Sequence, residues 1–181
     1  MVKITKRLPT PEAIYQLGNH LRPCDVAELS AVTHLSPLQA VQTSVANSHI
    51  DFLWAYYADN TLLCIAGCTV SGNPWLLATP DLDNHLQHIT KEVRHQVRMM
   101  LKHWDKLSNI IDVRNRKTLR WLKVLGFTLT ETLEIKPGFP VIQFEKVRHE
   151  NNRVSKKYTK DAFGQYDGYT AGRARPYGSS V

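Results

Sequence analysis

Apolar and polar residues alternate through VKITKRL (2–8), the two-residue period of an edge or half-buried strand. Thr10-Pro11-Glu12 follows with an N-cap, a proline for the first helical position and an acid for the first turn, so EAIYQLGNHL reads as a short helix. Arg22-Pro23 interrupts it, CDVAELSAV begins a second helix, and Ser36-Pro37 begins a third through LQAVQTSVANS. The chain then turns β. DFLWAYYA is rich in aromatic and branched residues, Asp59-Asn60 is a turn, and TLLCIAGCTV is a near-continuous apolar run, as in a strand buried on both faces. Ser71-Gly72-Asn73-Pro74 turns again into WLLAT, completing a three-stranded antiparallel meander.

From Asp81 the period changes to three and four. Leu86, Ile89, Val93, Val97, Met100, Leu101, Trp104 and Leu107 fall on one stripe, predicting a long amphipathic helix ended by Asn109. IIDV reads as a buried strand and RKTLRWLKVL as a helix stopped by Gly126. FTLTETLEI and PVIQFEKV form a terminal strand pair across Lys136-Pro137-Gly138. After Val147 the hydrophobic pattern collapses. The division expected is a domain over 1–148 and a basic, Gly/Tyr-rich extended tail over 149–181, too polar to bury a core of its own.

Charge sharpens that division. Of 23 basic and 16 acidic residues, six basic and two acidic lie in 151–181, so the tail carries four of the seven net positive charges. A hydrophobic content of 43% suffices for a core, yet no apolar run approaches the roughly 18–20 residues of a membrane span. No apolar stretch follows the charges of the first seven residues, so no signal peptide is expected. Cys24, Cys64 and Cys68 suit core packing in a reducing compartment. His88, Glu92 and His95 share a helix face, but Lys91, Arg98 and Lys102 are interleaved, so the reading is a solvated face and no metal site is assigned.

The element order resembles the GNAT N-acetyltransferase fold, an α/β (α+β) architecture with a mixed, mostly antiparallel central sheet flanked by helices. VRNRKTLRWLKVLGF (113–127) resembles that family's last strand–helix motif, N-x-x-A-x-x-x-Y-x-x-x-G-F, with Asn115, Gly126 and Phe127 in matching places and Thr118 as the small residue. Four segments in order, LRPCDVAEL, SPLQAVQTSVANS, NPWLLATPDL and NIIDVRNRKTLRWLKVLGF, are similar to small tailed-phage proteins of GNAT-like fold, relatives of the internal virion protein of podophages of the T-seven type. That second resemblance implies a virion protein made in the host bacterial cytoplasm. Its partners would be portal, connector, tail or internal core proteins, with packaged DNA and further copies of itself in addition.

The GNAT resemblance implies acetyl-CoA, and the residues are measured against that need. The family motif R/Q-x-x-G-x-G/A lets backbone N–H groups at a helix start approach the pyrophosphate. Here ATPDLDNHLQHITKE has no glycine and offers Asp81 and Asp83, which read as capping the helix themselves. The tyrosine that donates a proton to the leaving thiolate is replaced by Leu122, and the middle strands carry no acid to serve as base. Asn115 is left as the one polar match. On these grounds the expectation is a catalytically degenerate domain without a cofactor, acting through protein contacts in a virion. An active acetyl-CoA-dependent N-acetyltransferase is the alternative, and a DNA-contacting internal virion protein the second alternative. Tyr158, Phe163, Tyr166, Tyr169, Arg173, Arg175 and Tyr177 are the expected partner-binding residues of a docking arm, and Arg114, Arg116, Lys117 and Arg120 the candidate phosphate contacts.

Overall fold

A computed structural model describes residues 2–148. The elements run β1 (Ile4–Arg7), α1 (Pro11–Asn19), α2 (Pro23–Val32), α3 (Pro37–Ala46), a 3₁₀ turn (Ile50–Phe52), β2 (Trp54–Ala58), β3 (Thr61–Cys68), β4 (Pro74–Ala78), α4 (Leu82–His103), β5 (Lys106–Asp112), α5 (Arg116–Val124), β6 (Thr128–Lys136) and β7 (Phe139–Val147). The helix starts follow their caps. Thr10 accepts from the Ala13 N–H, and Ser36 with Gln39 completes a capping box. Positive φ at Asp59 and Gly126 marks the predicted β2–β3 turn and the predicted stop of α5.

The strands form two antiparallel sheets. One has the order β1-β2-β3-β4, the other β5-β7-β6. They meet at one end only. The Ser108 N–H donates to the Gly72 carbonyl, the Asn73 amide to the Ser108 carbonyl, and the Asn109 amide to the Pro74 carbonyl. Beyond that seam β4 and β5 diverge.

Two cores flank this frame. On the α4/α5 side, Tyr56, Leu63, Cys64, Leu82, Ile89, Val97, Leu107 and Leu122 pack together. On the α1–α3 side the packing is by Leu17, Val41, Ala55, Leu62 and Ile65. β3, apolar along nearly its whole length, feeds both, as a strand buried on two faces must.

Two expectations change. The long helix stops at His103, and Leu107 is not its last apolar residue but a fully buried member of β5. The helical and strand periods both place position 107 inside, so periodicity alone does not find the boundary. Asp81 sits at the N-cap of α4 but makes no side-chain cap. The Leu82, Asp83 and Asn84 N–H groups turn back on the Thr79, Pro80 and Asp81 carbonyls at 3.2 Å each. Asp83 is drawn away into pairs with Lys117 (2.9 Å) and Arg22 (3.5 Å).

Candidate functional site

The divergence of β4 and β5 opens an apolar cleft of about 360 Å³. Its walls come from both sides of the sheets, with Leu29, Val32, Trp75 and Leu77 on the α2/α3 side and Val93, Val97, Trp121 and Leu122 on the α4/α5 side.

The edges of the cleft are defined by strand register. The Thr79 N–H bonds to Leu63 and the Thr69 N–H to Asn73, so Leu77 and Trp75 face β3 while Pro74, Leu76 and Ala78 turn their backbone polar groups toward the cleft. α2 caps the top of that edge. Arg22 donates its N–H to the Ala78 carbonyl at 2.8 Å, and Asp25 Oδ2 accepts from the Ala78 N–H at 2.9 Å. The Pro74 carbonyl is taken by Asn109. Leu76 is left with an N–H and a C=O aimed into the cleft and no partner among the described residues, a costly state for a backbone amide unless a ligand or water completes it.

β5 lines the cleft with Asn109, Ile110 and Ile111, and its register turns the backbone groups of Ser108, Ile110 and Asp112 away from β7. The Ile110 N–H is covered by Asn109 Oδ1, and the Asp112 N–H donates to Glu28 Oε2 at 3.3 Å. Glu28 thus reaches from α2 across the mouth of the divergence. Burial pushes its carboxyl up to about 7, the Asp25 and Asp112 carboxylates add to the rise, and the Asp112 N–H and Arg22 oppose it. Its two acidic neighbours are already engaged. Asp25 holds Arg22 in a fork of 2.8 and 3.1 Å, and Asp112 holds Arg114 at 2.7 Å. Glu28 is therefore the acid of the cleft free to exchange a proton near neutrality. The middle strands carry no acid, and Glu28 comes to the cleft from α2, a distant part of the chain.

On the opposite wall stands Tyr56, which is 1% exposed and absent from the hydrogen bonds among the described residues. Burial raises its pKa, so it remains a phenol. Leu122 is buried in the same wall, and Trp121 spends its indole N–H on Thr90 at 2.9 Å. Asn115 lines the cleft with its Oδ1 capping α5 through the Thr118 N–H.

The four candidate phosphate contacts do not act as one patch. Arg114 is fixed on Asp112 and over the Phe139 ring, and Lys117 joins the first turns of α5 and α4 through Asp83. Arg116 and Arg120 are exposed. Glu92 is held by Lys6 and Gln96, and no group of three or more metal-ligating side chains converges among the described residues. The seven tail residues assigned to partner binding lie outside the described residues.

Comparison with known proteins places the fold. No family model matches the chain, and no curated protein matches it. Among solved structures it is similar to a spermidine N-acetyltransferase from Vibrio cholerae in complex with CoA and spermine, at TM-score 0.60 and 9% identity over 80% of this chain and 95% of that one. It is also similar to a GNAT-family acetyltransferase from Bacillus anthracis, at TM-score 0.60 and 10% identity over 83% and 100%. A third likeness is to YncA from Salmonella typhimurium with its cofactor acetyl-CoA, at TM-score 0.55 and 9% identity over 82% and 96%. The chain has the GNAT fold. The expectation of a virion structural protein is overturned here: the three structures just named are of acetyltransferase type, two of them holding CoA or acetyl-CoA. The four sequence segments behind that expectation contribute residues to the lining of the cleft.

Proposed function

We propose that the chain is an acetyl-CoA-dependent N-acetyltransferase, with the two-sided cleft between β4 and β5 as its active site and Glu28 as its base. The observation that carries this reading is the free Glu28 carboxyl in a cleft whose β4 edge leaves the Leu76 amide unpaired. The cleft fits the group the reaction needs. Its apolar α4/α5 wall suits an extended thioester arm, and the Leu76 N–H and C=O can pair with an amide of that arm; toward the phosphates the exposed Arg116 is available, while Lys117 is held by Asp83. When bound, acetyl-CoA supplies an acyl thioester whose C–S bond breaks as the amine's C–N bond forms, CoA leaving as the thiol.

Glu28 takes the proton that an ammonium must lose before its nitrogen can attack, and returns it to water. The amine's second proton goes to the departing sulfur. A thiolate with a pKa near 8.5 leaves with little protonic help, so Leu122 in place of a tyrosine does not stop the reaction, and the Tyr56 phenol can donate a hydrogen bond from the α4/α5 wall. The test is calorimetric titration of acetyl-CoA into the full chain, followed by acetyl transfer to a primary amine. Binding is expected, with turnover that Glu28→Gln lowers by about 10²–10⁴. Absence of binding at millimolar acetyl-CoA refutes the reading.

A further inference from the structure

The half of the cleft that faces away from α4 and α5 has a distinct character. Leu29 and Val32 from α2, Trp75 and Leu77 from β4 and Ile110 from β5 line it, with Glu28 at its inner end. The side-chain directions are set by the strands: Trp75 and Leu77 pack with the α1–α3 core, whereas Leu76 packs with the other. Val32 is 45% exposed and marks the open rim. Free negative charge is scarce in this half. Asp25 is consumed by Arg22 and the Ala78 N–H, so a second cationic centre entering here would meet apolar walls and an ion pair already complete.

We propose that the acceptor is a monoamine on an apolar body, such as an aromatic ring or an alkyl chain, and not a polyamine or a polycationic chain. The inference rests on the transferase reading above. The ammonium meets the Glu28 carboxylate at the inner end, and the apolar body lies against Leu29, Val32, Trp75, Leu77 and Ile110. A spermidine-like molecule would have to place its remaining ammonium groups against those walls, where no carboxylate among the described residues lining this half is free to receive them.

The experiment uses the full chain with 2-phenylethylamine, hexylamine and spermidine. Amine binding is read by tryptophan fluorescence and acetyl transfer by thiol release, so that affinity and chemistry are seen separately. Expected is a kcat/KM for 2-phenylethylamine and hexylamine at least about tenfold above that for spermidine, with the same order in binding. Val32→Glu, at a solvent-exposed rim position, should lower binding of the apolar amines and raise that of spermidine. Preference for spermidine in both readouts, or no binding of either apolar amine, overturns the proposal and leaves the transferase reading standing wherever transfer is observed. Selective, Val32→Glu-sensitive binding of the apolar amines without transfer to any amine sustains the pocket's preference for an apolar monoamine and removes the transferase reading.

Discussion

At the scale of single residues, Glu28 and Asp25 sit one helical turn apart on α2 and do opposite things. Asp25 is a structural anion, 5% exposed, bonded to Arg22 and to the Ala78 N–H. Asp25→Ala would leave a buried guanidinium and a strand amide without their partner, at a cost of about 3–5 kcal/mol, seen as a lower urea midpoint. Glu28 is titratable, and its sign can be worked out. A carboxyl raised to about 7 keeps its proton in the folded chain at pH values where the unfolded chain has released it. Its contribution to stability is therefore complete below the ordinary carboxyl range and is lost as pH rises through about 7. Under the proposed transferase function, activity is expected to run the other way, increasing through the same interval as Glu28 is deprotonated. Glu28→Gln should flatten both profiles, and its urea midpoint relative to the wild type should be higher at pH 8 than at pH 5. A difference between the two proteins that is the same at both pH values would mean that Glu28 titrates as an ordinary surface acid.

At the scale of elements, most of the architecture is legible in the chain. Thr10, Ser36 and Gly126 mark helix ends through local backbone chemistry, and the apolar run 62–68 shows a strand buried on two faces. What is not legible arises where elements meet. No local signal places Glu28 beside Asp112, 84 residues later, or tells that α2 caps the free edge of β4. The site was sought in motifs, and the residues that carry it are spread over α2, β2, β4 and β5. Gly18 is a second case of packing overruling local preference. In an isolated helix, alanine would be better than glycine by about 1 kcal/mol. Here an added Cβ would stand 2.7 Å from both the Cα and the Cδ1 of Leu38, where α1 crosses α3. Gly18→Ala should destabilise by about 1–3 kcal/mol, because the neighbour includes backbone that cannot turn aside. Thermal unfolding decides it, and a raised midpoint would show that the two helices can move apart.

At the scale of the whole molecule, the question is where the folding unit ends. Among the described residues, both cores are assembled from elements up to β7. β7 is the central strand of its sheet, paired with β5 along Lys106–Asp112 and with β6 on its other side, so its last residues matter to both neighbours. Arg148, the last described residue, is tied back onto the domain: its N–H donates to the Asp105 carbonyl, its Nε to the Leu101 carbonyl, and its guanidinium pairs with Asp105 at 2.9 Å. The Nε bond satisfies a carbonyl in the last turn of α4, where a cation is favoured. A chain cut after Arg148 should therefore unfold cooperatively within about 0.5 kcal/mol of the full chain, the range of a surface change. A cut after Gln143 removes Phe144, a core residue at 7% exposure, together with the pairing partners of Lys106, Leu107, Ser108 and Asn109, and should leave no cooperative transition. If instead the chain ending at Arg148 loses more than about 2 kcal/mol in urea denaturation, residues 149–181 belong to the folding unit, and the boundary inferred from charge and hydrophobic pattern is in the wrong place.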